Sequence, residues 1–260
     1  YTDTEGGFIS DASGPQLVSV ALEGRWSTVL TNGSTPSLDV QFEDGYNAMD
    51  LSELGNLKER SAYRSVSLIH DHMKSYMPDF TDLDWSIPTN IDVAGECNAF
   101  YDGQSVNFYD AGGGCNATTL IADVVWHEYG HGINDYFYSS LGYNFSNGAM
   151  NEGYADLWAM SLGNIAEIGK GFYTDNEDGI RVYDQEPKVY PQDLVGEVHA
   201  DGEIICGAWY DTHLLMGGDW MQTMSLFIDA YPGLQATAPN GSEGQAFTDV
   251  LIDVLQADDD

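Results

Sequence analysis

Positive charge is scarce in this chain. Only 8 of its 260 residues are lysine or arginine, against 42 aspartates and glutamates, so the formal net charge is −34. Nucleic acids and anionic membrane surfaces repel so negative a protein, and we expect it to bind neither. The charge favours solubility, bound Ca2+ and tolerance of salt, which screens the self-repulsion. The simplest interpretation is the extracellular surface of a marine or halophilic protein.

Long apolar runs are also missing. No stretch approaches the roughly 20 residues of a membrane-spanning helix, and no signal peptide opens the chain. Tyr1–Thr4 looks like an internal cut. We therefore expect a secreted protein that is matured from a longer precursor by loss of a leader and a pro-segment. The end at Asp258–Asp260 is interpreted in the same way, as a chain boundary or a processing site.

Cysteine is rare, with three in the whole chain. Cys97 and Cys115 flank a candidate hairpin that turns at Asp102-Gly103, and a disulfide closing that loop is plausible in an oxidising compartment. Cys206 lies in an apolar run and is predicted to be a buried free thiol.

Two histidines and a carboxylate stand together in His127-Glu128-Tyr129-Gly130-His131. Residues four apart share one face of an α-helix, so both imidazoles can reach the same cation. Glu128, one step from His127, lies where a general base acting on a metal-bound water should sit. This H-E-x-x-H pattern predicts a zinc site. The alternative is a surface helix that carries two histidines by chance.

A second pair of residues four apart, Glu152 and Asp156, follows downstream. Because a catalytic zinc usually takes three protein ligands, Glu152 would complete the set begun by His127 and His131. Asp156 would accept the outward N–H of a ligand imidazole and so fix its tautomer. The alternative is a solvated acidic stripe. The mostly apolar flanks indicate instead a buried helix, in which carboxylates need a partner.

Hydrophobic periodicity separates a strand-rich first part from a helical remainder. Short strands and turns are predicted over 16–46, a helix over about 53–77 that Pro78 ends, and strand-like pieces over 87–93 and 98–109. Thr118 is predicted to cap a long helix that carries the two histidines and runs to about Tyr138. Further helical runs are predicted at 203–216, 221–231 and 244–256.

These elements predict an α+β protein in which two lobes make one catalytic domain. Residues 1–117 would form a β-rich N-terminal lobe with one helix. Residues 118–260 would supply the active-site helix and a mainly helical C-terminal lobe. A cleft between the lobes is a natural place for a substrate. His70 and His72, two apart on the first helix, cannot converge on one ion and are predicted to be partly exposed structural residues.

The order H-E-x-x-H followed by N-E-x-x-x-D resembles the glutamate-zincins, specifically the thermolysin-like and fungalysin-like secreted endopeptidases. The resemblance extends from about Asn98 to Trp209. It implies a two-lobed zincin fold, with the H-E-x-x-H helix between the lobes, and a bound Zn2+ that hydrolyses peptide bonds. The separation of His131 from Glu152 is thermolysin-like to within a residue, whereas the fungalysin-like loop between them is usually longer.

The same resemblance implies two further catalytic residues. His199 matches a histidine that stabilises the transition state, and Tyr143 stands where thermolysin-like enzymes carry a tyrosine donor. An aspartate orients that histidine in the family, but Asp193 is one position off, and Glu197 is an alternative partner. An unrelated loop histidine and a chance tyrosine among the 16 are the competing interpretations.

Substrate-binding residues are implied as well. Asn98 and Ala99 resemble the start of the family's edge strand, whose backbone pairs with an extended peptide. Arg181 matches an arginine that grips a substrate carbonyl and a neighbouring carboxylate, with a structural salt bridge as the alternative. Val124 and Ile180 align with the pocket just after the scissile bond, which predicts cleavage before apolar residues.

The family's calcium sites are matched less well, because the domain is shorter than its typical relatives. The loop Asp175–Asp178 is oxygen-rich enough to hold Ca2+. It lacks EF-hand spacing, and a solvated acidic loop fits it equally well.

Three functions compete. The leading hypothesis is a monomeric secreted zinc endopeptidase that acts on polypeptides. The second is a zinc aminopeptidase, but such enzymes carry a G-x-M-E-N stretch upstream of the histidine helix, and Gly148–Glu152 only resembles it and lies downstream. The third is a degenerate protease fold kept as a binding module, against which intact Glu128 and His199 argue.

Overall fold

The structure, a computed structural model, describes residues 9–259 and begins with three short strands. The predicted cut at Tyr1–Thr4 lies outside the described residues, as does Asp260. The strands and the first helix of the N-terminal part are β1 Gln16–Ala21, β2 Ser27–Thr31, β3 Ser37–Phe42, α1 Leu57–Tyr76, β4 Ile87–Val93, β5 Ala99–Tyr101 and β6 Val106–Tyr109.

The main sheet has the strand order β2-β4-β6-β5. β2, β4 and β6 run parallel, and β5 pairs antiparallel with β6, so that β5 forms one edge of the sheet. Alternate residues of β4 are buried, as expected for a strand with one face on a core. β1 and β3 form a separate two-stranded antiparallel pair. The predicted hairpin over 98–109 is confirmed.

α1 packs on the sheet, and the sequence at each end explains where the helix begins and stops. The Asn56 side chain accepts from Glu59 N, while the Glu59 carboxylate accepts from Asn56 N, which is a capping box. The helix ends at Tyr76, just before Pro78, as predicted. Its buried side chains recur every three or four residues. This face packs against β2, β4 and the helix that follows.

Of the two histidines of α1, which were predicted to be partly exposed, His70 differs from the prediction and His72 agrees with it. His70 is fully buried, stacks on Trp26 with ring centroids 3.7 Å apart, and its Nδ1 lies 2.7 Å from the Tyr129 hydroxyl. His72 is half-buried, and its Nε2 lies 2.9 Å from Ser161 Oγ. The prediction failed for His70 because helical spacing reveals neither the indole nor the phenol that cover it.

We expect the protein to lose stability as the pH falls from about 6.5 to about 4. Burial lowers the pKa of His70 and of His72 from 6.5 to about 4. In this window the unfolded chain binds more protons than the folded chain, so the free energy of unfolding rises with pH and falls on acidification. A shift of this size corresponds to at most about 3 kcal/mol per group. Urea unfolding at several pH values measures it. A His72→Gln variant with the same pH slope as the parent would contradict the assignment.

The C-terminal part is mainly helical, as predicted. Its elements are α2 Ala122–Ser140, α3 Gly148–Gly163, β7 Glu167–Ile168, β8 Arg181–Val182, α4 Val198–Leu215, α5 Trp220–Ala230 and α6 Glu243–Asp259. Short 3-10 turns occur at Leu51–Glu53, Thr118–Leu120, Tyr231–Gly233 and Gln235–Thr237. The α+β class is therefore confirmed.

Thr118 does not cap the histidine helix. α2 begins at Ala122 without a side-chain cap, after a 3-10 turn over Thr118–Leu120. The Thr118 hydroxyl is directed to the carbonyl oxygens of Asn98 and Tyr109, at 3.3 and 3.2 Å. The hydroxyl therefore donates to these carbonyl oxygens instead of capping α2, and the capping prediction is wrong.

α3 is the central helix of the core. It is buried on nearly all sides and packs most extensively on α2 and α4. One apolar cluster runs from Val29 in β2 through Trp158 in α3 to Val250 in α6. The division into 1–117 and 118–260 stays a prediction, since the core is continuous across it. Over residues 9–259, none of the helices combines the length and apolar character that a bilayer crossing requires.

Candidate active site

Glycines bring the three helices of the site into close contact. A Cβ on Gly130 would lie 2.8 Å from the Ala155 Cα, so α2 and α3 meet here backbone to backbone. A Cβ on Gly202 would lie 2.8 Å from both Ala149 O and Glu152 Cβ, so α4 approaches α3 equally closely. These contacts allow side chains from three helices to converge on one point.

The two imidazoles of α2 point at each other through the same ring atom. Nε2 of His127 and Nε2 of His131 are 3.1 Å apart. Nδ1 of His127 lies 2.6 Å from Asp156 Oδ1, and Nδ1 of His131 lies 2.9 Å from Asn151 Oδ1. Both oxygens are acceptors, so each Nδ1 carries the proton in the neutral ring and each Nε2 presents a lone pair. Two facing lone pairs need a cation between them.

Glu152 closes this group from α3. Its Oε2 lies 3.3 Å from His127 Nε2, and its Oε1 lies 3.6 Å from His131 Nε2. Ligand atoms about 2.0 to 2.2 Å from a tetrahedral zinc stand about 3.3 to 3.6 Å from one another. Glu152 Oε2 is buried and has no hydrogen-bond partner among the described residues. The donor set therefore fits a zinc ion, and the predicted meeting of the two histidines with Glu152 is seen.

Electrostatics favour a positive charge at this point. Burial opposes the charged form of His127, but Asp156 and Glu152 raise the pKa of its imidazole to about 10. Burial alone would raise the pKa of Glu152, and the imidazoles of His131 and His127 lower it instead. Because a proton and a metal compete for the same nitrogen, metal binding here releases protons.

Glu128 lies beside the two imidazoles. Ligand atoms of His127, Glu128 and His131 all come within 4.8 Å of one another, so this trio could itself hold an ion. Glu128 is buried, and this burial raises the pKa of its carboxyl group. A carboxylate with a raised pKa is suited to accept a proton near neutral pH.

Asp156 is the centre of a buried ion-pair network. Besides His127 Nδ1, its carboxylate accepts from Arg181 Nε at 2.5 Å and Nη2 at 2.6 Å, and from the Tyr183 hydroxyl at 2.5 Å. Burial would raise the pKa of Asp156, but the charges of Arg181 and His127 hold it well below its usual range. The predicted contact between Asp156 and an imidazole is seen, and Arg181 has the neighbouring carboxylate expected of it.

Tyr183 was not predicted from the sequence. Arg181 and Tyr183 are two residues apart on one extended segment, so their side chains point to the same side of it. This spacing could have indicated that Tyr183 accompanies Arg181. The sequence does not show which carboxylate the two side chains would contact.

His199 lies at the first turn of α4, with its Nε2 3.5 Å from Glu152 Oε1. Its Nδ1 pairs at 2.6 Å with Glu197 Oε1, not with Asp193. Asp193 Oδ2 instead accepts from Val189 N at 2.6 Å and holds a turn of its own chain segment. Of the two partners considered for His199, the structure thus gives Glu197 and corrects Asp193. Glu197 caps α4, which fixes its carboxylate beside the ring.

The imidazoles of the site and the carboxylates of Glu128 and Glu152 line a cleft of about 570 Å3. β5 and the preceding Asn98 form one wall, so Asn98 and Ala99 lie at the cleft, as predicted. Val124, Ile180 and the unpredicted Phe172 form an apolar wall beside the imidazoles. Tyr143, on the loop after α2, is 51% exposed and is not among the residues that line the cleft.

A disulfide links two chain segments beside the cleft. Cys97 and Cys115 are bonded, with Cα atoms 5.3 Å apart, and Cys206 is a buried free thiol, so both expectations are confirmed. Cys115 packs with Ile121, Val124 and Phe172 in a small apolar cluster. The bond therefore joins the chain just before β5 to the segment that precedes the 3-10 turn and α2.

The acidic loop after β7 shows turn geometry. Asn176 Oδ1 accepts from Asp178 N at 2.9 Å, and the four side chains of Asp175–Asp178 are exposed. Calcium binding at this loop stays a prediction.

Comparison with solved structures identifies a fold found in metalloproteinases. One of the structures that this chain is similar to is the precursor of protealysin, a metalloproteinase from Serratia proteamaculans. It superposes with a TM-score of 0.65 and 17% sequence identity, and the match covers 88% of this chain and 84% of that chain. At this identity the likeness shows the fold alone. No family profile matches the sequence, and a search of curated proteins finds no match.

Proposed function

We propose that this protein is a secreted zinc-dependent endopeptidase of the glutamate-zincin type. The observation that carries the proposal is the pair of imidazoles whose Nε2 atoms face each other at 3.1 Å while both Nδ1 atoms are engaged. Glu152 and Glu128 lie beside them, in a cleft with an open strand edge. The fold shared with a metalloproteinase supports the same conclusion.

Zinc, held by His127, His131 and Glu152, would supply Lewis-acid polarisation of a peptide carbonyl and lower the pKa of a bound water. Glu128 would accept the proton of the attacking water and return it to the leaving amine. His199 would donate to the carbonyl oxygen as negative charge develops on it, a contact worth a few kcal/mol. Tyr143 is retained as a second donor that would have to reach the cleft from its exposed loop.

The cleft also suggests how a peptide is held. β5 would add the substrate as a further strand, with backbone hydrogen bonds from the Asn98–Tyr101 segment. Arg181 would grip a substrate carbonyl while Asp156 holds its guanidinium. Val124, Ile180 and Phe172 would receive the side chain after the scissile bond. We therefore propose cleavage before apolar residues, by a monomer that acts on polypeptides outside the cell.

Chelation tests this proposal directly. A purified sample, treated with 1,10-phenanthroline and dialysed, should lose cleavage of peptides blocked at both ends and regain it with Zn2+. The library of blocked peptides should be cut mainly before leucine, isoleucine, valine or phenylalanine. Cleavage of free-amine peptides alone would favour the aminopeptidase alternative. Zinc binding without any cleavage would favour the binding-module alternative, and cleavage insensitive to chelation would overturn the metal assignment.

A further inference from the structure

A buried chain of hydrogen bonds leads away from the second imidazole. His131 Nδ1 faces Asn151 Oδ1 at 2.9 Å, and the same oxygen accepts from Asn134 Nδ2 at 2.8 Å. Asn134 Oδ1 in turn accepts from the Tyr231 hydroxyl at 2.5 Å. Asn134 and Tyr231 are both fully buried. The chain thus runs from α2 to α3, back to α2, and ends at the 3-10 turn Tyr231–Gly233.

The direction of this chain is fixed by one group that can only accept. Asn134 Nδ2 also donates to the backbone carbonyl of Asn151, at 3.2 Å. A carbonyl oxygen has no proton to give, so the amide nitrogen of Asn134 must face Asn151 and its oxygen must face Tyr231. The Tyr231 hydroxyl, which can donate, satisfies that oxygen. One N–H of Asn134 is aimed at the backbone carbonyl of Asn151 and the other at its side chain, so Asn151 must present its side-chain oxygen to Asn134 and His131.

The tautomer of His131 follows from the orientation of Asn151. With its oxygen inward, Asn151 accepts the Nδ1 proton and leaves Nε2 free as a metal ligand. With the amide reversed, its NH2 group would face Nδ1, which would have to accept, and the proton would move to Nε2 and block the metal. The tautomer of His131 therefore depends on Asn134, which is linked to the ring only through Asn151.

We propose that Asn134 and Tyr231 are positioning residues, which lock Asn151 in the orientation that keeps Nε2 of His131 available to a metal. This inference rests on the proposed zinc site. It deepens that site by making a tyrosine that follows α5 responsible for the tautomer of a ligand on α2. Neither residue contacts the cleft.

The decisive variant is Asn134→Asp, which keeps the shape and the acceptor for Tyr231 but removes both donors to Asn151. The new carboxylate favours the reversed Asn151, so Zn2+ affinity, measured by competition with a chromophoric chelator, should fall 10- to 100-fold. Nitrogen-15 NMR of the metal-free variant should show His131 with its proton on Nε2. An affinity within twofold of the parent would overturn the inference.

A second pair of variants keeps the test decisive if Asn134→Asp does not fold. Tyr231→Phe removes the donor at the end of the chain and should weaken Zn2+ binding at least threefold. Tyr154→Phe is its matched control, because Tyr154 is also buried and donates to Gln235 Oε1 at 3.0 Å, within the same aromatic cluster. It should lose similar stability and bind Zn2+ as the parent does.

The outcomes separate this inference from the proposed function. Equal Zn2+ affinity in Tyr231→Phe and Tyr154→Phe would overturn the role of the chain while leaving the zinc site intact. A parent protein that binds no Zn2+ would instead contradict the proposed function itself.

Discussion

Replacing Glu128 by glutamine is expected to lower kcat on a blocked peptide by about 10^2- to 10^4-fold, the range for loss of a general base. The amide has nearly the same shape but cannot accept a proton. Because the proposed zinc ligands are His127, His131 and Glu152, and Glu128 is not one of them, Zn2+ content should remain one per chain. KM should change little, since the side chain is buried and is not among the residues proposed to hold the peptide.

The measurement is a steady-state assay combined with metal analysis of the same sample. Glu203→Gln is a suitable control, because Glu203 lies on α4 and pairs with Lys188 outside the cleft. It should retain full activity. If Glu128→Gln retained zinc and parental kcat, the catalytic role would be refuted and the binding-module alternative would gain support.

Replacing Asp156 by asparagine should produce the largest loss of stability. Its carboxylate is buried and accepts hydrogen bonds from Arg181, His127 and Tyr183. Removing one member of a buried ion pair leaves the other charge uncompensated, which costs about 3 to 5 kcal/mol. His127 would also lose the acceptor that fixes its tautomer, so Zn2+ affinity should fall 10- to 100-fold.

Urea unfolding of the metal-free protein measures the first effect, and chelator competition measures the second. Glu203→Gln again supplies the control, because it breaks an ion pair of similar length, 2.7 Å, that is partly exposed to solvent. Such pairs contribute about 1 kcal/mol or less. An Asp156→Asn variant no less stable than Glu203→Gln would show that the network does not stabilise the fold.

The core of the site could be predicted because its geometry is local. His127 and His131, like Glu152 and Asp156, are four apart on a helix, and one helical turn determines which side chains share a face. Only the meeting of the two helices had to be assumed. The apolar flanks of Glu152 already indicated that its helix was buried, and α3 is the most buried helix of the described chain.

The remaining contacts depend on where loops and distant segments lie. Asp193 and Glu197 are both near His199 in sequence, and only the cap of α4 decides between them. Asn134 and Tyr231 carry no motif, and they meet across 97 residues of chain. Thr118 was predicted to be a helix cap by a sound rule, but its hydroxyl is directed to the backbone carbonyls of Asn98 and Tyr109. Sequence periodicity describes each element, but it does not specify which polar groups compete across elements.

The open edge of β5 is also a place where two copies of the protein could associate. A strand edge that can receive a peptide can receive any extended segment, including a loop of a second copy. The net charge of −34 makes two copies repel each other strongly in dilute buffer. At physiological ionic strength this repulsion is screened beyond about 8 Å. In a peptidase, the same acidic surface would thus also restrain self-digestion, to an extent set by the surrounding salt.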